Sequence, residues 1–312
     1  MRANTQCNKV KKSRGKDLFY WGILAFPILQ FVIFYIGVNL NSFALAFQKF
    51  DVEKGFQFIG IDNLFENFIN VFKMIEETSY LQSAFKNSLI LFVCTIVICL
   101  PLTLLFSYYI YKKRTLSRFY KVILFLPHVI SSITLVIIYK YFAEQALPEV
   151  VLRLFGKEIE GLLSNPDTEF YAILLFTVFI NFGVQTLIYS GTMSGISPEI
   201  EEAAKLDGIT PLKEFLLIDI PMIAPTISVF VVSSTAMIFV NQMNLYSFYG
   251  PGASNYSIWT IGYYMYQGIT SSHTTLADYP YYASFGLVMT MITIPITLII
   301  RRALNKIDPS EG

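Results

Sequence analysis

Long uncharged runs separated by short charged ones dominate the hydrophobic pattern of this chain. Residues 18–47 carry no charge, and about 20 residues suffice to cross ~30 Å of hydrocarbon. Five further runs of that kind follow, giving expected spans at 18–47, 87–111, 122–140, 170–196, 220–240 and 281–300. Pro27 falls inside the first run and marks an expected kink, Pro101 lies inside the second, and bends are expected at Pro127 and Pro225. Between the first two spans, residues 49–80 mix polar and apolar positions with a spacing that suggests a short helix lying at the surface. Residues 1–17 read as a basic tail, 197–219 as a loop and 303–312 as a second tail. The expected fold class is an all-α membrane protein of six helices.

Composition agrees with this pattern. Of 312 residues, 54% are hydrophobic and 14% charged, against about a quarter charged in an ordinary soluble domain. The distribution of charge says more than the net value of +1. Basic residues gather before the first span, in the turn Lys112, Lys113, Arg114, Arg118 and Lys121, and after the sixth span at Arg301, Arg302 and Lys306. The other three connections are acidic or nearly uncharged. By the positive-inside rule the chain is a multi-pass protein of the cell membrane with both termini cytoplasmic, and the 197–219 loop is cytoplasmic too. Cys7, Cys94 and Cys99 have no metal spacing and read as free thiols. No cleavable signal is evident. No phosphate-binding loop, His-Glu-x-x-His, paired Cys-x-x-Cys or nucleophile elbow occurs. The expectation is a non-enzyme without cofactor, metal or nucleic-acid partner.

The loop from Ser197 to Pro225 has the punctuation of two helices. Ser197 can cap a helix that starts at Pro198, with Glu199 in its first turn. Gly208, after Asp207, can supply a left-handed stop, and Thr210-Pro211 repeats the cap-plus-proline start. The first helix would be about nine residues, about 14 Å long, with Ala203 and Ala204 as a smooth flank. In residue type and spacing, Glu202-Ala203-Ala204, Gly208, Ile218 and Pro221 resemble the EAA loop of ABC importer permeases, although Ile220 stands where that family usually has Leu. The Gly60-Ile61-Asp62-Asn63 segment resembles the Gly-x-x-Asn that precedes the family's core spans. The resemblance runs from about Leu18 to the C-terminus. It implies the type I importer permease fold, a coupling helix that docks into a separate ATPase dimer, a second permease subunit and an extracytoplasmic solute-binding protein. It also implies that Glu202 meets an arginine of the ATPase.

Polar residues inside spans avoid lipid and point at protein or at a watery cavity. Thr177, Asn181 and Gln185 recur at i, i+4 and i+8, and so share one stripe. Asn181 lies about 16 Å from Phe170 along the helix, near the midplane. His128 and Ser132 are likewise four apart, and Asn241, Gln242 and Asn244 crowd the end of the fifth span. Interhelical hydrogen bonding is the plain explanation for any one of them; three in line favour a pathway. The resemblance is to the carbohydrate-uptake branch. It places sugar contacts at His128 and Ser132 after Leu126-Pro127, at Thr177, Ile180, Asn181 and Val184, and at Met237, Ile238 and Asn241. Phe179 replaces that branch's usual Trp, and the aromatic expected near Val184 is absent. Tyr246, Tyr249, Tyr256, Trp259, Tyr263, Tyr264 and Tyr266 read first as an interfacial belt, second as a surface for the solute-binding protein.

The expected function is therefore a permease subunit forming half of a sugar pathway. The rivals are the same machine with a peptide or amino-acid cargo, an ion-coupled secondary transporter, which would need acidic residues within the spans, and a membrane scaffold.

Overall fold

A computed structural model describes residues 14–306 apart from residue 254. The basic stretch 1–13, Cys7 and residues 307–312 lie outside the described residues.

Four helices are long and apolar enough to cross a membrane: α1 Phe19–Ala46, α3 Ser79–Tyr111, α6 Pro166–Met193 and the run Leu276–Asn305, whose α-helical part is α12 Tyr279–Asn305. Two more spans are helix pairs, α4 Ser117–Val129 with α5 Ser132–Phe155, and α8 Pro211–Met222 with α9 Ala224–Ala236. The apolar window of α1 buries none of its residues in this chain. Its side chains, Trp21 and Phe34 among them, face outward, as hydrocarbon or another subunit requires.

The two pairs show where the expected bends fall and how sharp they are. The third expected span, 122–140, is broken: α5 leaves α4 at 106°. The break does not fall at Pro127, which is accommodated in the last turn of α4, but at Ile130 and Ser131, whose backbones are extended. The fifth expected span, 220–240, bends by 70° at Ile223. Pro225 has no N–H to offer the carbonyl of Pro221, and a five-residue π-turn, Phe215–Asp219, precedes the bend. Gly183 lets α4 press on α6; a Cβ there would sit 1.9 Å from the Leu124 carbonyl oxygen.

The 49–80 segment does hold an amphipathic helix, α2 Glu66–Glu77, but a hairpin comes first. Strands β1 Gln48–Asp51 and β2 Gly55–Phe58 pair antiparallel, with Phe50 opposite Phe56. Asp51 accepts the Glu53 and Lys54 N–H groups in the turn, and Gly55 takes φ +70°. Asn67 on α2 donates to the Ala46 and Gln48 carbonyls, both at 2.9 Å, fastening the hairpin to α1.

After α9 the chain turns back and folds over one end of the bundle as α10 Leu245–Tyr249, a short 3-10 turn and α11 Ile261–Thr270. Asn87 on α3 donates to the Ser257 and Trp259 carbonyls, and Ser88 accepts from the Ile261 N–H. Trp259, Tyr263 and Tyr264 are thus core residues, which removes three members of the expected aromatic belt. Bonds to a partner in the fold hold them, where an interfacial residue would need only water: Trp259 Nε1 donates to Ala253, and the Tyr263 hydroxyl to Gly250.

Candidate functional site: a surface lever joined to a polar cavity

The other end of the bundle carries α7 Pro198–Leu206. Its stop is a Schellman motif: Gly208, at φ +68°, donates to the Lys205 carbonyl, and Ile209 donates to that of Ala204. Prolines 198 and 211 occupy the first helical positions, where a missing N–H costs nothing. The expected side-chain caps are not formed. Ser197 and Thr210 hold the cap positions with extended backbones, but neither hydroxyl bonds to the helix it precedes.

The two faces of α7 differ. Ile200 packs on Leu104, Tyr189, Met193, Phe215 and Ile223, and Ala204 on the same side is buried. Glu199, Glu202, Ala203 and Leu206 form the outward stripe, with Leu206 89% exposed. The smooth flank expected of both alanines is therefore Ala203 alone; Ala204 is 4% exposed and packs on the bundle. Asp207 and Gly208 are exposed, and Ile218 and Pro221 are half-buried on α8.

Between α7 and the bundle lies a charge cluster. Lys112, just past the end of α3, bonds Glu214 of α8 at 2.8 Å and Glu201 of α7 at 3.2 Å. Tyr111 donates to Glu201, and Tyr108 donates to the Pro211 carbonyl at 3.0 Å. Burial penalises the Lys112 ammonium, yet its bonds to Glu214 and Glu201 outweigh that penalty and its pKa is raised. Burial likewise opposes the Glu201 carboxylate, but Tyr111 and Lys112 hold its pKa below the usual value. Stabilisation from Glu201 is therefore complete above the ordinary carboxylate range and lost as pH falls through its lowered pKa. That from Lys112 is complete below the ordinary lysine range and lost as pH rises through its raised one. The pair is intact at neutral pH. Lys112 counts in the sequence only as a topological charge. Its spacing shows nothing of Glu201 or Glu214, about ninety and a hundred residues away.

Two acids stand one residue beyond the ends of their expected spans, and the structure carries the helices past them. Glu169 lies in the first turn of α6 and accepts from Asn255 at 2.6 Å. Asp219, in α8, is wholly buried, and neither carboxylate oxygen has a hydrogen-bond partner among the described residues.

Above the cluster, α3, α6 and α9 enclose a polar cavity of about 260 Å³. Thr177, Asn181, Gln185, Met237 and Asn241 line it, together with Ser88, Thr95, Ser233 and Ser234, and no charged residue does. The α6 stripe is partly spent on the fold. Asn181 donates to the Thr177 carbonyl at 2.9 Å, and Thr177 bonds to the Met243 carbonyl and to Asn244, both at 3.3 Å. The Gln185 amide makes no hydrogen bond with any described residue and is free for a solute. Thr177, Asn181 and Asn241 also line a vestibule of about 430 Å³ beneath Tyr246 and Tyr266, so the two spaces share three residues. Met243 and Asn244, at φ +52° and +57°, make the turn that places Asn241 there. Ser88, Thr95, Ser233 and Ser234 were absent from the expected set, although a hydroxyl inside a span is a readable signal. His128 and Ser132 line neither space; they are exposed beside the α4–α5 break. A separate groove of about 630 Å³ beside α12 is walled by Met265, Met289, Ile294 and Leu298 and has few polar groups to orient a solute. Among the described residues no three His, Cys, Asp or Glu side chains converge to hold a metal ion.

A polar chamber among membrane-spanning helices, with a surface helix bonded to its walls, fits a membrane permease. Residues 89–311 match the family described as binding-protein-dependent transport system inner membrane component, and the chain belongs to that family. It is 23% identical over 303 residues to the arabinooligosaccharides transport system permease protein AraP of Bacillus subtilis, covering 93% of this chain and 91% of that one. It is 24% identical over 291 residues to the multiple sugar-binding transport system permease protein MsmF of Streptococcus mutans, covering 92% and 96%. Its fold matches a chain of a bacterial ABC transporter involved in the import of the acidic polysaccharide alginate, with TM-score 0.77 at 19% identity over 94% of this chain and 96% of that one. The type I importer permease fold follows.

Proposed function

We propose that this chain forms half of the translocation pathway of an ATP-driven importer for a neutral oligosaccharide. The observation that carries this reading is the uncharged cavity whose three walls all run to α7. The α6 helix enters α7 through Gly195 and Ile196, α8 leaves it at Gly208 and continues into α9, and α3 is tied to it by Lys112 and Tyr111. A push on the Glu202 face would move these walls together, turning the cavity from one side of the membrane to the other without chemistry on the solute. The ATPase dimer that pushes is a separate polypeptide pair, and Glu202 meets one of its arginines. A solute-binding protein delivers to the opposite end, a second permease closes the pathway, and both termini are cytoplasmic. His128 and Ser132 stand on the side that second subunit covers. The names of AraP and MsmF support a saccharide cargo, and the amide and hydroxyl lining suits one, since neutral sugars are held by hydrogen bonds that an apolar wall cannot make.

In proteoliposomes holding the complete transporter, Asn181→Leu combined with Gln185→Leu is expected to cut oligosaccharide uptake about tenfold or more, since each unpaired sugar hydroxyl costs about 1–3 kcal/mol. Uptake at the parental rate would contradict the assignment, and uptake that persists without the ATPase would favour an ion-coupled carrier.

A further inference from the structure

At the end of the bundle opposite α7 there is a second pocket, of about 710 Å³, between α2, the first turn of α3, α11 and the start of α12. It shares no residue with the transmembrane cavity or its vestibule. Its walls are mostly rings. The Tyr80 centroid lies 5.4 Å from that of Tyr256 and 5.9 Å from that of Trp259, and Tyr256 and Trp259 are 4.8 Å apart. Trp259 and Tyr264 are fixed in the core behind, while Tyr256 is 54% exposed and Tyr80 half-buried. The rings touch one another, and the pocket opens beside them.

The polar groups converge on the same space. The Tyr80 and Tyr256 hydroxyls have no hydrogen-bond partner among the described residues. Asp278 uses one carboxylate oxygen to cap its own turn, accepting the Thr275 N–H and hydroxyl, and the other oxygen makes no such bond. Gln267, whose Nε2 donates to the Pro251 carbonyl at 3.3 Å, also lines the pocket, and no lysine, arginine or histidine does. Flat apolar faces with a few acceptors and donors at their edges match the C–H faces and peripheral hydroxyls of a pyranose or furanose ring. A carboxylate with no cation beside it disfavours an acidic sugar.

We propose that this pocket is a binding site for a ring of a neutral saccharide, a staging point outside the transmembrane cavity. The proposal rests on the reading of the chain as a saccharide permease.

The chain has two tryptophans, so in a Trp21→Phe background Trp259 reports alone. The full chain in lipid nanodiscs would be titrated with arabinotriose, raffinose and maltotriose, with trigalacturonate as the charged control, and uptake of each would be measured in the complete transporter. The expected result is a saturable change in Trp259 emission with a neutral trisaccharide and none with trigalacturonate. Tyr256→Ala should raise the half-saturating concentration about two- to tenfold, the range that one ring contact converts to, and Asn181→Leu should leave it unchanged. A trisaccharide that is imported without altering the emission would overturn the pocket and spare the transport reading. A signal lost in Asn181→Leu but kept in Tyr256→Ala, or shared equally by trigalacturonate, would also overturn it. If no sugar is imported and none is sensed, both proposals fall.

Discussion

Gly208→Pro is expected to abolish uptake while leaving the chain inserted in the membrane. Gly208 sits at φ +68°, and proline is held near −65°, so the left-handed stop after α7 cannot form. The substitution also removes the N–H that bonds Lys205, and it drives Asp207 away from the helical backbone it now has. With the stop lost, α7 and α8 no longer turn through a fixed angle, and a push on one is dissipated before it reaches the other. Gly208→Ala is the control. No atom lies within 4 Å of the position its Cβ would take, so its only penalty is the left-handed backbone, about 1–2 kcal/mol. That variant should retain most uptake. Membrane fractionation with an uptake assay reads both, and a Gly208→Pro protein that transports normally would refute the rigid lever.

Lys112→Met should be the second most damaging change. The Lys112 side chain is 14% exposed and that of Glu214 9%, and removing the cation leaves Glu214 and Glu201 facing each other across the α3 end. Breaking a buried pair by deleting one partner costs about 3–5 kcal/mol, reduced here to about 2–3 kcal/mol because Glu201 is partly in water. A thermal-unfolding scan of the purified protein should show the loss, together with weakened coupling of ATP hydrolysis to uptake. Adding Glu214→Gln should recover much of it, since that removes the stranded charge. A Lys112→Met protein as stable as the parent would show that the cluster is ornamental.

The α7 region was legible in the sequence because its signals are local. Proline at a helix start, glycine at a stop and charge between apolar runs act through the backbone of neighbouring residues. The Thr177, Asn181, Gln185 stripe was legible for the same reason: helical periodicity converts spacing directly into a shared face. The bend at Ile223 was legible through Pro225, two residues on, but the break at Ile130–Ser131 was not. Hydropathy reports how apolar a run is and says nothing of its direction, and the first break has no proline at it. The Lys112–Glu201–Glu214 cluster joins three helices far apart in the chain, and only tertiary packing brings them together. The aromatic positions from Tyr246 to Tyr266 show the same limit. Tyrosine suits an interface and a hydrogen-bonded core equally well, and the bonds of Asn87 and Ser88 to the 257–261 backbone decide between them.

The central claim is that a separate motor pushes on the outward stripe of α7. Ala203 is exposed in the middle of that stripe, and a cysteine there replaces a side chain of nearly the same size. In a background with Cys7, Cys94 and Cys99 replaced, Ala203→Cys would be paired with single cysteines along the cleft of the ATPase subunit in assembled membranes. A disulfide whose yield changes on ATP binding, in a transporter that still imports its sugar, is the predicted result. Active transporter with no bridge from position 203 to any cleft position, with or without nucleotide, would contradict the account.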